Sequence, residues 1–409
     1  MDKQTYINML QDVIQIKSEN GNEEAVAKYY QNILKNHGID SKLIPYSEGR
    51  SSLVAEITNG EGRVLALSGH MDVVSSGDES QWTHPPFSGD IEDGLIWGRG
   101  ASDMKSGLTA LVIAFINLKE SGQFKGTIRL LATVGEEVGE LGSAQLTNLG
   151  YLDDVDAVLI GEPCNIGVVH AHKGSLNYKV VSRGVAAHSS TPDLGENAID
   201  HLLTAMTMIS ERITQQAEEI ENPVLGKTFH NITLLSGGSQ INSIPDQAMF
   251  EANVRTIPEY DNAIVMATVE AVLDELNQTK GVDLEAVITA NQPPVEAAPD
   301  SQLVLTILQV ANSHDSLKPQ FLIQQMNDVL GKNMLSEDMA SSNLDSVKPM
   351  VVSGTTDAAQ FVRANANLEV AVYGPGMPSL NHKIDERLPL SQYLDFIEVY
   401  QEVIHQYLQ

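Results

Sequence analysis

The apolar positions of the chain fall into helical and strand-like rhythms that alternate. Tyr6, Met9, Leu10, Val13 and Ile14 recur at helical spacing over 5–16, and Val26, Tyr29, Tyr30, Ile33 and Leu34 repeat the pattern before His37-Gly38 stops it. Short apolar runs at 43–45, 52–57 and 64–67 read as strands. A turn-rich stretch at 94–100 then leads into a helix that starts around Ser102-Asp103-Met104-Lys105-Ser106-Gly107 and carries Leu108, Leu111, Val112 and Phe115. Strongly apolar strands follow at 127–134 and 157–160. Strands alternating with helices predict an α/β fold, a mixed sheet covered on both faces in a three-layer domain.

From about residue 176 the rhythm changes. A strand at 177–182, a helix at 197–216, strands at 231–236 and 248–255, a helix at 261–276 and a strand at 283–288 give the order β-α-β-β-α-β. That order predicts a ferredoxin-like α+β domain inserted into the first. The expected domains are 1–175 and 292–409 for the outer one and 176–291 for the insert, with Asn291-Gln292-Pro293-Pro294 marking the return. A helix at 302–311, strands at 350–353 and 369–373 and a closing helix at 392–407 complete the outer domain. Residues 314–349 carry one helix-like piece, 321–330, and a polar stretch containing Met and Ser, expected to form a loop or flap.

With 409 residues, 42% of them hydrophobic, the chain can build more than one core. It has no apolar run near the roughly 18 residues of a membrane span. The net charge of −29 is spread along the chain, which disfavours nucleic acid and anionic membranes as partners. One cysteine, Cys164, excludes an intrachain disulfide, and the start lacks the basic-then-apolar layout of a signal peptide, so a cytoplasmic protein is expected. In so acidic a protein, an anionic substrate group needs a locally placed cation.

The chemistry-bearing residues sit just past strand ends. Ser68-Gly69-His70-Met71-Asp72 follows the run at 64–67, Gly135-Glu136-Glu137 the strand at 127–134, and Gly161-Glu162-Pro163 the strand at 157–160. Taken singly, a His-x-Asp is an ordinary surface turn and a Glu pair a solvated strand end. Their shared position matters, because open α/β sheets gather their sites outside the carboxyl ends of the strands. If these groups converge, two histidines and three carboxylates without a thiolate suit two divalent ions such as zinc, one carboxylate bridging them. In the Glu136-Glu137 pair one carboxylate can ligate while its neighbour shuttles a proton.

His70-Met71-Asp72, Gly100-Ala101-Ser102-Asp103-Met104-Lys105, Gly135-Glu136-Glu137, Gly161-Glu162-Pro163 and Asn381-His382-Lys383 together resemble the signatures of a co-catalytic metallopeptidase family. The family comprises acetylornithine deacetylases, succinyl-diaminopimelate desuccinylases, aminoacylases and glutamate carboxypeptidases, and the resemblance spans nearly the whole chain. It implies a cofactor of two divalent metal ions, Zn2+ first and Co2+ or Mn2+ as alternatives. His70, Asp103 and Glu162 would hold one ion, and Asp103, Glu137 and His382 the other, with Asp103 bridging. Glu136 resembles the general base and Asp72 the partner of the His70 ring, while Cys164 matches no motif and reads as a bystander.

The same resemblance implies a homodimer formed through the inserted lid. His188, in Ala187-His188-Ser189-Ser190, would reach a neighbouring subunit's site and help bind the oxyanion, a surface histidine being the rival reading. Asn242 would contact substrate, and Arg255 would clamp a substrate carboxylate, with a structural salt bridge as its alternative. Lys173 stands where some desuccinylases place an arginine and could bind a carboxylate as a point charge. Gly354 and Thr355, in Gly354-Thr355-Thr356-Asp357, resemble a loop lining the substrate site, where Asp357 alternatively caps the next helix.

The implied activity is hydrolysis of a small-molecule N-acyl amino acid, releasing the acyl group from the amine. Ala171-His172-Lys173-Gly174-Ser175 and Val254-Arg255-Thr256-Ile257-Pro258-Glu259-Tyr260 resemble the desuccinylases of Gram-positive type. Acetylornithine deacetylase and metallo-dipeptidase remain the alternatives. A relative that keeps the fold only to bind is a reading of another class, and it would have no need of Glu136. The stretch 314–349 departs from the family layout by its length.

Overall fold

The computed structural model describes residues 1–331, 344–365 and 367–409. The chain divides into two compact units, one of Met1–His170, Ala297–Met350 and Thr356–Gln409, the other of Ala171–Glu296 and Val351–Thr355.

The first unit is built on a mixed sheet in the order Ser41–Ser47, Arg50–Asn59, Gly126–Thr133, Val64–His70, Ala157–Ile160, Glu369–Val372 and Val168–His172. Gly126–Thr133, Val64–His70, Ala157–Ile160 and Glu369–Val372 run parallel to one another, with antiparallel strands on either side. Their centres are near-continuous apolar runs, as strands covered on both faces require. Leu65 and Leu67, with Ile128 and Leu130, join the main hydrophobic cluster, together with the helices Lys3–Gln15, Glu24–Asn36, Lys105–Ser121, Gln302–Ser313 and Leu390–Tyr407. Leu131, Val158 and Ile160 are buried outside that cluster, and the short helix Leu141–Asn148 lies against Ala358–Phe361 and the strand Gly126–Thr133.

Lys105–Ser121 is the central helix, apolar on every side and buried from Lys105 through Ile116. Its seating depends on Gly107, where an added Cβ would stand 1.8 Å from the Gly161 carbonyl oxygen. Only a residue without a side chain lets the first turn of this helix meet the end of Ala157–Ile160. The buried Lys105 ammonium donates to the carbonyls of Val13 (2.9 Å) and Ile16 (2.7 Å) at the end of helix Lys3–Gln15, the Val13 carbonyl also taking the Ile16 N–H of the helix cap.

The second unit is a four-stranded antiparallel sheet in the order Phe229–Gly237, Gln247–Thr256, Gly174–Arg183, Asp283–Gln292. With helices Ala198–Glu219 and Asn262–Asn277 the chain order is β-α-β-β-α-β. Along Gln247–Thr256 the buried residues Ala248, Phe250, Ala252, Val254 and Thr256 alternate with partly exposed ones, and the apolar set packs with Tyr178, Val180, Ile209, Ile213, Val265 and Val269.

The unit begins earlier than the 176 read from the sequence, because Gly174 and Ser175 already pair with Thr256 and Arg255. It also takes in Val351–Thr355. Two-residue and three-residue strands at Ile91–Glu92, Leu95–Trp97 and Arg387–Pro389 form a small sheet that the sequence shows only as turns, since so few residues carry no period. Within 314–349 the helix-like piece is the helix Pro319–Leu330, and residues 332–343 of the expected flap lie outside the described residues.

Gly107→Ala is expected to lower unfolding stability by about 3 kcal/mol, the upper range for forcing volume into a packed site. Denaturant unfolding with an unchanged m-value would check it.

Candidate metal centre

The parallel strands deliver the site at their carboxyl ends. Val64–His70 ends on His70, Gly126–Thr133 runs into the turn holding Glu136 and Glu137, and Ala157–Ile160 runs into Glu162. Asp103 immediately precedes the central helix, across a cis peptide bond to Met104. His382 arrives from beyond Glu369–Val372, on a left-handed residue with φ 61°.

These side chains converge in two groups that share Asp103. Asp103 Oδ1 lies 3.2 Å from His70 Nε2, and Glu162 Oε1 lies 3.5 Å from the same nitrogen. Asp103 Oδ2 lies 3.4 Å from His382 Nε2, which is 2.9 Å from Glu137 Oε1. Glu136 joins His70 and Glu162, their donor atoms lying within 4.8 Å of one another. The structure thus brings together His70, Asp103, Glu136, Glu137, Glu162 and His382.

The donor set fits divalent cations on electrostatic grounds. Burial, and then the charges of neighbouring carboxylates, push the carboxyls of Glu136 and Glu162 well above the ordinary range. Burial alone would lower His70, but the carboxylates of Glu162, Asp103, Asp72 and Glu136 outweigh it and hold its ring protonated. Hydrogen bonds to Asp103 and Glu137 push His382 up to about 10. In the absence of metal, protons supply the positive charge that this crowding demands. Two cations would do the same with better geometry, since nitrogen and carboxylate oxygen are the ligands that zinc and similar ions accept.

Asp72 works differently from the expectation that its carboxylate would hold the imidazole. His70 Nδ1–H donates to the Asp72 backbone carbonyl (2.8 Å), which leaves Nε2 as the ligating nitrogen, while the carboxylate stands 3.6 Å away. The Asp72 carboxylate instead accepts the backbone N–H groups of Glu136 and Glu137, both at 3.2 Å, and so fixes the turn that carries them. Cys164 donates to the Gly167 carbonyl, and burial pushes its thiol up to about 12, too high for a thiolate ligand.

Asp357 does not cap its helix with its side chain; the carboxyl turns to the Thr133 hydroxyl, 2.5 Å away, and is buried close enough to feel the charges of His70 and Asp72.

In the second unit, Arg255 and Ser175 are cross-strand neighbours, as are Asn253 and Asn177. Asn253 Nδ2 donates to Asn177 Oδ1 (2.6 Å) and Ser175 Oγ (3.3 Å). Arg255 is half-buried beside this polar ladder, and among the described residues no carboxylate pairs with it. The Lys173 ammonium donates to the Lys227 carbonyl and sits 4.6 Å from the centre of the Phe229 ring, which uses one of its three N–H donors.

His188 pairs with Ser243 in a two-residue ribbon, which puts it next to Asn242, whose carbonyl accepts from Ser189 N (3.1 Å). Both are exposed, and the His188 Nδ1 takes the Ser190 hydroxyl at 2.8 Å. Gly354 is exposed and Thr355 partly so. Sequence reasoning missed Glu386 and Arg99 as parts of the centre. Their only signal is that Glu386 closes the segment Asn381-His382-Lys383-Ile384-Asp385-Glu386, whose charges look solvated.

A carboxylate-rich cluster with two imidazoles, at the carboxyl ends of parallel strands, defines a metal-dependent hydrolase. Residues 66–406 match the model for peptidase family M20/M25/M40, and the protein belongs to that family. Over 98% of its length it is 36% identical to a probable succinyl-diaminopimelate desuccinylase of Staphylococcus aureus, covering 97% of that protein. The fold matches an M20 family metallo-carboxypeptidase from Sulfolobus solfataricus with a TM-score of 0.73 at 19% identity, covering 100% of this chain and 99% of that one. It also matches a dinuclear metal-binding M20 peptidase of Bacillus subtilis with a TM-score of 0.66 at 17% identity, covering 99% and 98%. The protein is therefore a metallo-hydrolase acting on an amide. Among the described residues, no helix is long and apolar enough to cross a membrane.

The raised His382 pKa predicts how the metal-free protein responds to pH. Its protonated pairing with Asp103 and Glu137 contributes stability in full below about pH 6.5 and loses it as pH rises towards about 10. The buried, raised carboxyls of Glu136 and Glu162 act in the same direction. The melting temperature of chelator-treated protein should therefore fall between pH 6.5 and 10. Saturation with Zn2+ should flatten that slope, which thermal melts across the range would check.

Proposed function

We propose that the protein hydrolyses the amide of an N-acyl amino acid at two divalent ions, with N-succinyl-L,L-diaminopimelate the substrate of choice. One observation carries the reading of the centre: the two oxygens of Asp103 face different imidazoles, each accompanied by its own glutamate. His70, Asp103 and Glu162 would hold one ion and Asp103, Glu137 and His382 the other. Zn2+ suits the donor set, and Co2+ and Mn2+ are alternatives that the carboxylates accept. When bound, such a pair polarises the scissile carbonyl and makes water acidic enough to react near neutral pH.

The chain's own groups do the rest. Glu136 takes the proton from the attacking water and returns it to the amine nitrogen as the C–N bond breaks. Asp72 holds the turn on which Glu136 depends. Arg255, a half-buried cation with no carboxylate partner among the described residues, binds a substrate carboxylate in bidentate fashion. His188 and Asn242, with Gly354 and Thr355, contact substrate, His188 from the partner of a homodimer. Support for that dimer lies in the edge strand Phe229–Gly237, which exposes Phe229, Leu234 and Leu235, and in the fully exposed Ile241 nearby in sequence. The succinyl preference rests on the staphylococcal relative and on the acidic protein's provision of Arg255 for an anionic group.

Glu136→Gln should retain both ions by elemental analysis while kcat falls about 10²–10⁴-fold, the range for a lost general base. Unchanged turnover would remove Glu136 from that role. Arg255→Lys should raise KM for the succinyl substrate about tenfold with little change in kcat. A panel of N-succinyl-diaminopimelate, N-acetylornithine, an N-acetyl amino acid and a dipeptide, assayed with metal restored, tests specificity. Preference for the acetyl substrate or the dipeptide would keep the chemistry and replace the substrate.

A further inference from the structure

The segment that carries His382 is tied to the loop that carries Asp103 by a set of buried contacts centred on Glu386. Glu386 is fully buried, and its Oε1 accepts three backbone N–H groups of that loop: Gly100 at 3.1 Å, Ser102 at 2.8 Å and Asp103 at 2.9 Å. Its Oε2 takes the Arg99 guanidinium at 2.6 Å. Arg99 is itself buried, donates to the Ser75 carbonyl at 3.2 Å and lies 5.2 Å from the centre of the Trp82 ring. At the other end of the segment, Asn381 Oδ1 accepts from the Ser102 hydroxyl at 2.9 Å. Between them, Asp385 accepts from Thr83 N (2.7 Å) and Thr83 Oγ1 (2.8 Å). Both His382 and Asp385 are held left-handed, at φ 61°, a conformation that a free loop of these residues would leave.

The rest of the centre has independent support. His70 and Glu162 follow directly from neighbouring parallel strands, whose pairing of Ser68 with Ile160 sets their separation. The main sheet does not set the separation of Asp103 from His382; the pairing of Arg387 with Trp97 and the Gly98 N–H to the Glu386 carbonyl bring the two segments together, and the Glu386 carboxylate and the Asn381 amide oxygen fasten the Asp103 loop itself.

We propose that Glu386 is a positioning residue that holds the site shared by Asp103, Glu137 and His382, and that its loss selectively weakens the ion bound there. This rests on the two-metal reading given above. Glu386→Gln keeps its one oxygen for the backbone N–H groups and turns the amide N–H₂ towards Arg99, so it loosens the clamp without emptying it.

The test is a titration of Co2+ into chelator-treated wild type and Glu386→Gln, followed by calorimetry and by the visible absorption of bound cobalt. Wild type should take up two ions. The variant should keep the first within about threefold and bind the second about 10–100-fold more weakly, the usual effect of losing a group that orients ligands. Its second-ion spectrum should change, and kcat should fall more than KM rises. Asn381→Ala, which cuts the other end of the clamp, should weaken the same ion, and it decides the matter if Glu386→Gln does not fold. Wild-type affinity for both ions, or equal weakening of both, would overturn the positioning role. Uptake of a single ion by wild type would instead overturn the two-metal reading and this inference with it.

Discussion

Like charges held close together are the constraint on which the first unit is built. Asp103, Glu136, Glu137 and Glu162 crowd around two imidazoles, the carboxylates and His70 largely shielded from water and His382 exposed. Carboxylates in such a place cannot all stay ionised without positive charge between them. The fold's contribution is to keep them there regardless. Strand register fixes His70 against Thr133, the Asp72 carboxylate fastens the backbone of the Glu136 turn, and Gly107 lets the central helix bring Asp103 up to the Gly161 turn. Each device uses backbone or a side chain outside the proposed set of metal ligands, which is why the centre reaches so far into the surrounding structure.

The division of labour between the two glutamates of one turn follows from the same geometry. Both glutamates lie near His70, Glu136 with Glu162 and Glu137 with Asp103, and Glu137 also meets His382. Burial raises the Glu136 carboxyl, the direction that the proposed proton shuttle calls for. The polar ladder of Ser175, Asn177 and Asn253 gives Arg255 a setting of a different kind, half-buried and free of any carboxylate among the described residues. A guanidinium so placed has its donors available for an incoming anion.

Much of this was legible in the sequence because strand ends and short motifs are local features. His70, Glu137 and Glu162 each follow an apolar run that could be recognised without knowing its partners, and the family motifs supplied Asp103 and His382. The alternation of Gln247–Thr256 and its neighbours exposed the β-α-β-β-α-β unit in the same way. What escaped notice depends on side chains meeting across long stretches of chain. Glu386 looks like one more surface acid until it is seen under three backbone N–H groups. Asp72 reads from its spacing as the partner of the His70 ring, and it is the backbone carbonyl that meets the ring while the carboxylate holds the Glu136-Glu137 turn, since spacing alone does not distinguish the two groups of one residue. The tiny sheet formed by Ile91–Glu92, Leu95–Trp97 and Arg387–Pro389 is too short to leave a pattern.

The clamp between Glu386 and the Asp103 loop joins residues 283 positions apart, and the closing helix Leu390–Tyr407 packs on the central helix from the far end of the chain. During synthesis, His70, Asp103, Glu137 and Glu162 all leave the ribosome long before His382 and Glu386 do. Through that interval the early acids have neither the clamp nor the second imidazole, and the second unit is translated in between. The centre is thus a late product of biosynthesis. A chain cut short before residue 382 would carry most of the proposed ligands, with His70 and Glu162 still set by strand pairing, but would lack His382 and the Glu386 contacts to the Asp103 loop.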